Sequence, residues 1–179
     1  MHRTLWTVVV LAGTLASPLT AQDVRFNAEE EAAASAIVGW FADHLNDETP
    51  QPTLVLATKT NGAAVAPSAS ARGFGVVPSA KRSVQLASNS IEAIESRTSV
   101  AIRYCDELRE GSLCGIAQPW VWVLLSSPAR DGDRWLFEVE ERAIAEPPPG
   151  VSGTGRKETS SYLVEARLDD GQWRVRIVE

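Results

Sequence analysis

From Asn27 to about Asn46, Ala33, Ile37, Trp40, Phe41, His44 and Leu45 recur at three- and four-residue steps and give a helix one apolar face. Asn27 stands where an N-cap belongs, and Glu29, Glu30 and Glu31 suit the positive end of the helix dipole. Pro50 and Pro52 end the helix. Thr53–Thr60 is short and β-branched, which predicts a strand. Residues 61–80, rich in Ala, Gly, Ser and Pro, show no period and read as loop. Residues 81–97 are ambiguous, although Ser90 followed by Ile91, Ile94 and Glu95 can open a short helix.

Beyond that point the pattern changes to period two. Strands are predicted at Thr98–Cys105, Pro119–Ser127, Trp135–Ala145, Ser160–Leu168 and Gln172–Val178. Asp131-Gly132 and Asp170-Gly171 fall where two-residue hairpin turns belong. With Asp170-Gly171 at the tip, Leu168 faces Trp173, Ala166 faces Val175 and Val164 faces Ile177, all on one side. Glu165 then faces Arg176 on the other, wet side, and a one-residue slip would mix the two sets. The same arithmetic at Asp131-Gly132 sets Phe137 opposite Ser126, Val139 opposite Leu124 and Glu141 opposite Trp122. It gathers Trp120, Trp122, Trp135, Phe137 and Val139 on one face. Pro119–Ser127 is apolar on both sides, so its second face needs a cover: the 61–80 loop, the Cys105–Cys114 segment or another subunit. Residues 146–158 join two strands with Pro and Gly and read as a flexible extension.

Arg3, the apolar run Leu5–Leu15 and the small residue Ala21 form a signal-peptide pattern, too short to span a bilayer. The expected mature chain is one domain, residues 22–179, exported to a periplasm or secreted. Loss of residues 1–21 removes Arg3 and no acid, which takes the net charge one unit beyond the −6 of the whole chain. Such an acidic chain, with no basic stripe, excludes nucleic acid as a partner class. No later segment is apolar for long enough to cross a membrane. Cys105 and Cys114, the two cysteines, are expected to form a disulfide in an oxidising compartment. A metal pair or a catalytic thiol is the competing reading, but zinc-type spacing is absent and His44 is the one mature histidine.

The closing residues carry a resemblance. Tyr162-Leu163-Val164-Glu165-Ala166, then Asp170-Gly171-Gln172-Trp173-Arg174-Val175, look like the last hairpin of the nuclear-transport-factor-2-like family, the cystatin-like α+β roll. The resemblance implies an α+β fold in which an N-terminal amphipathic helix packs on a curved antiparallel sheet around a pocket open at one end. Members of that family include isomerases, dehydratases, hydrolases and non-catalytic binding or dimerising domains. The Ala/Gly/Pro-rich 61–80 stretch departs from the helix-rich first half usual there.

No nucleophile elbow, Walker loop, dinucleotide glycine motif or HExxH is present, and no cofactor or metal is expected. Acid–base chemistry would need a histidine or carboxylate in apolar surroundings. His44 on the helix face and Glu141 beside Trp122 are the weak catalytic candidates, against packed and solvated side chains respectively. Trp40, Trp120, Trp122 and Phe137 are the candidate ligand-binding walls, and serve equally well as core. The expectation is a non-catalytic domain that binds an apolar small molecule or a protein partner, with a homodimer through the sheet as one form of the latter. A small acid–base enzyme of the same fold is the alternative, and an envelope-associated structural protein a third.

Overall fold

A computed structural model of the chain describes residues 24–61, 81–106, 108–109, 112–117, 119–144 and 157–178. The leader expected at 1–21, residues 62–80 of the predicted loop and most of 146–158 lie outside these residues. In chain order the elements are β1 (Val24–Arg25), α1 (Ala28–Leu45), β2 (Thr53–Leu56), β3 (Arg82–Ser83), α2 (Ser88–Thr98), β4 (Ile102–Tyr104), β5 (Leu108–Arg109) and β6 (Ser112–Leu113). They continue with β7 (Trp120–Leu125), β8 (Ala129–Asp131), β9 (Arg134–Ile144), β10 (Lys157–Asp169) and β11 (Gln172–Val178). Together they make an α+β fold with a seven-stranded mixed sheet.

At the start of α1 the Asn27 side chain accepts from the Glu29 and Glu30 amides, while Glu30 accepts from the Asn27 amide at 2.8 Å. This capping box satisfies donors that a helix start leaves orphaned. Glu30 is buried, and Arg82 of β3 reaches it at 2.6 Å, which ties the helix start to β3. The buried face of α1 is Ala33, Ala34, Ile37, Val38, Phe41, Ala42 and Leu45. That face is rotated from the expected one: Trp40 is half-buried at its margin and His44 is exposed.

The sheet order is β11-β10-β9-β7-β2-β4. The first four strands are antiparallel, but β2 runs parallel to both β7 and β4, where an all-antiparallel sheet was expected. The reason is connection length. The chain between β2 and β4 contains α2, and parallel neighbours require a crossover of that kind. Leu54, Val55 and Leu56 are buried on both faces, as parallel strands usually are.

Register decides which residues can meet. Around Asp170-Gly171 it is as expected, Leu168 facing Trp173, Ala166 facing Val175 and Val164 facing Ile177. Both turn residues have positive φ, 50° and 77°, the backbone that Asp-Gly adopts readily. At the other turn the arithmetic fails. Asp131 pairs with Arg134, so the tip is Gly132-Asp133, with glycine first at φ 64°. Farther on, Ala129 faces Leu136 but Leu125 faces Val139, so four steps on one strand match three on the other. That is a bulge at Ser126-Ser127-Pro128. Ser126 Oγ accepts from the Glu138 amide at 2.8 Å and covers the interrupted ladder.

The net slip is odd, so the faces exchange. Glu141 faces Val123 rather than Trp122, and Trp122 faces Arg142. One side of the sheet, with Val121, Val123, Phe137, Val139, Val164 and Ala166, packs against α1 and Ile94 of α2. Trp120 and Trp122 lie in a second cluster with Val55, Ala57 and Cys105, and Ile116 packs against it. Cys105 and Cys114 are joined in a disulfide, with Cα atoms 6.0 Å apart. Among the described residues Cys105, from one of the three covers considered above, and Ile116 just beyond the bridge pack on this second apolar side of β7.

Candidate functional site

α1 has a second lengthwise stripe, made of small residues rather than large ones. Ala32, Ala36 and Gly39 follow one another at helical spacing and leave a cleft of about 640 Å³ between α1, α2 and β11. Ala93 and Ile94 supply the α2 wall, and Trp173 and Val175 the sheet wall. Gly39 faces α2 closely. A Cβ there would lie 3.2 Å from an Arg97 guanidinium nitrogen and 3.8 Å from Ile94. Arg97 in turn donates to Asp43 at 3.1 and 3.2 Å, an exposed pair that forms part of the cleft wall.

Ala32 and Trp173 also line a second hollow of about 370 Å³, so the two hollows adjoin there and together make up a trough beside α1. The second hollow has Trp135 and Leu168 as its apolar lining. Arg130 lies 5.4 Å from the Trp135 ring centroid and pairs with Glu29 at 2.8 Å, joining the β8–β9 hairpin to the start of α1. The trough thus offers an apolar floor interrupted by ion pairs, with the Ser35 and Ser90 hydroxyls on its helix walls.

The sequence-derived candidates do not converge. Trp40 lines the cleft. Phe137 is fully buried beneath α1, with Phe26 edge-on at 6.2 Å. Trp120 and Trp122 are buried on the opposite side of the sheet, where Trp122 Nε1 donates to the Cys105 carbonyl at 3.0 Å and Arg142 lies over its ring. His44 is exposed, its ring 4.1 Å from Trp40 between centroids. Its Nδ1 lies 2.7 Å from the Trp40 carbonyl, and because a carbonyl only accepts, Nδ1 carries the proton.

Glu141 is half-buried on the helix-bearing side and takes a 2.5 Å hydrogen bond from the Tyr162 hydroxyl. Burial first, then the bond to the Glu141 carboxylate and its charge, push the Tyr162 hydroxyl far above the ordinary phenol range. The phenol is therefore a fixed donor to Glu141. Phe41, at 6.5 Å, packs beside it. Neither His44 nor Glu141 lines the trough, and the two do not form a pair.

Trp173, Ala36 and Gly39 are site residues that the sequence reading missed. The available signal was the Ala32, Ala36, Gly39 spacing on the flank away from the large apolar residues. Among the described residues no helix is long and apolar enough to cross a membrane, and no cluster of His, Cys, Asp and Glu could hold a metal ion. No protein-family model matches the chain, and neither curated proteins nor solved structures yield a match.

Proposed function

We propose that the chain is an exported, non-catalytic binding domain of the cystatin-like roll type, and that the trough between α1, α2 and β11 receives an apolar group of a small molecule or protein partner. The observation that carries this reading is the cleft itself. Its volume lies within the range of roughly 300–1,000 Å³ common for ligand sites. Small side chains on α1 make its floor, Trp40 and Trp173 flank it, and Asp43 with Arg97 gives it a polar element. The family resemblance of the final hairpin, the leader pattern at residues 1–21 and the Cys105–Cys114 disulfide support the fold type and compartment. The acid–base alternative finds less support, because its two candidate residues lie apart from the cleft and from each other's hydrogen bonds.

An environment-sensitive apolar dye tests the reading. The parent chain should enhance its emission saturably, and Ala36→Phe, which fills the cleft from a half-buried position, should weaken binding at least tenfold while the chain stays folded. Equal binding by both would move the site elsewhere and sink the proposal.

A further inference from the structure

β11 is both a wall of the cleft and the last strand of the sheet. Among the described residues nothing pairs with its outer edge. An edge strand turns every second N–H and C=O away from its neighbour, which makes a template for one more strand. The two faces of β11 carry different chemistry. Trp173, Val175 and Ile177 project to the helix side, and Ile177 is 50% exposed. Arg174 and Arg176 project to the outer side, with side chains 75% and 69% exposed. Arg176 engages Glu165 through Nε and Nη2, and Arg174 approaches Asp169 through Nε alone, so each retains guanidinium N–H groups for a further acceptor.

Resting on the cleft reading above, we propose that the trough's partner is an extended peptide segment of alternating apolar and acidic residues, which adds to β11 as an eighth strand. Its backbone continues the ladder, its apolar side chains extend the Trp173–Val175 wall over the cleft, and its carboxylates face Arg174 and Arg176. Charge selects this occupant over a second copy of the chain. In a two-fold antiparallel pairing of β11 with itself that keeps Trp173 and Val175 on the helix side, every register of five or more pairs sets arginine against arginine. Arg174 meets Arg176 in the central register, and each meets itself in the flanking two. Like charges directly opposite destabilise a strand pair.

The test uses the full disulfide-bonded chain and fluorescein-labelled octapeptides of alternating valine and glutamate, or valine and lysine, followed by anisotropy. The glutamate peptide should bind at least fivefold more tightly than the lysine peptide, whose ammonium groups would stand opposite Arg174 and Arg176. Arg174→Glu should shrink or invert that preference. N-methylation of alternate peptide amides should abolish binding in one phase and spare it in the other, because only one set of amides reaches the β11 edge. Equal effects of the two phases, or a charge preference unchanged by Arg174→Glu, would overturn strand addition. Peptides that fail to bind while the apolar dye still fills the cleft would also overturn it and leave the cleft reading standing. Failure of dye and peptide together overturns both.

Discussion

Glu165 points to the outer side of the sheet yet is only 4% exposed. Arg134 reaches it at 2.9 Å and Arg176 at 3.2 Å. Burial pushes its carboxyl upward, but the hydrogen bonds and charges of Arg176 and Arg134 outweigh burial and hold it below the ordinary carboxylate range. A depressed value in the folded state means that folding favours the ionised form. The associated stability is complete above the unfolded value of about 4.3 and is lost as pH falls through the folded value. Glu165→Gln is therefore expected to cost about 1–3 kcal/mol at neutral pH. In urea melts the gap between parent and variant should close on acidification below about pH 4.3. A gap of constant size down to pH 2 would assign the loss to packing instead of charge. Tyr162 and Glu141 meet the same requirement with a neutral donor, which explains how a carboxylate is tolerated on the helix-bearing side.

At the level of elements, Ser126 does what the turn cannot. Its hydroxyl accepts from the Glu138 amide where the ladder between β7 and β9 skips a residue, and the Ser126 amide donates to the Glu138 carbonyl at 2.8 Å. Ser126→Ala leaves a partly buried N–H without its acceptor, so a loss of about 1–3 kcal/mol and faster hydrogen exchange at the Glu138 amide are expected. Unchanged exchange there would mean that water or a shifted strand replaces the hydroxyl. This bulge also marks where the chain's pattern stops being readable. The β10–β11 hairpin was legible because its turn is two residues long, both at positive φ, and no residue is skipped between Val164–Ile177 and Leu168–Trp173. The β7–β9 pairing was not. Alternation in Pro119–Ser127 is apolar on both sides and cannot signal a one-residue slip, so Trp120 and Trp122 were assigned to the face of Phe137. The parallel pairing of β2 escaped for a related reason: after Thr53 the strand is the unbroken apolar run Leu54–Val55–Leu56, and nothing local distinguishes a crossover from a hairpin. The cleft was hidden because Ala32, Ala36 and Gly39 register only as an absence of bulk beside the large apolar side chains of Ile37 and Phe41.

For the molecule as a whole, the central consequence is that the sheet separates two apolar clusters with different supports. The larger one lies under α1 and α2 and borders the trough. The smaller one, Val55, Ala57, Trp120 and Trp122, includes Cys105 itself, whose carbonyl also takes the Trp122 indole N–H. Opening the Cys105–Cys114 bridge releases a loop of about ten residues, for which chain entropy gives roughly 2–3 kcal/mol. Because the bridge lies on the outer side, its loss should loosen the second cluster first. Under mild reduction, tryptophan emission should shift to the red as Trp120 and Trp122 gain water, while helical circular dichroism and dye binding in the trough persist. Cys105→Ala with Cys114→Ala should reproduce the shift and lower the urea midpoint. Simultaneous loss of dye binding and helix signal at the first stage of reduction would show instead that the two sides unfold as one unit. The sheet would then transmit the bridge's contribution through β7 to Val121, Val123 and the helices they support.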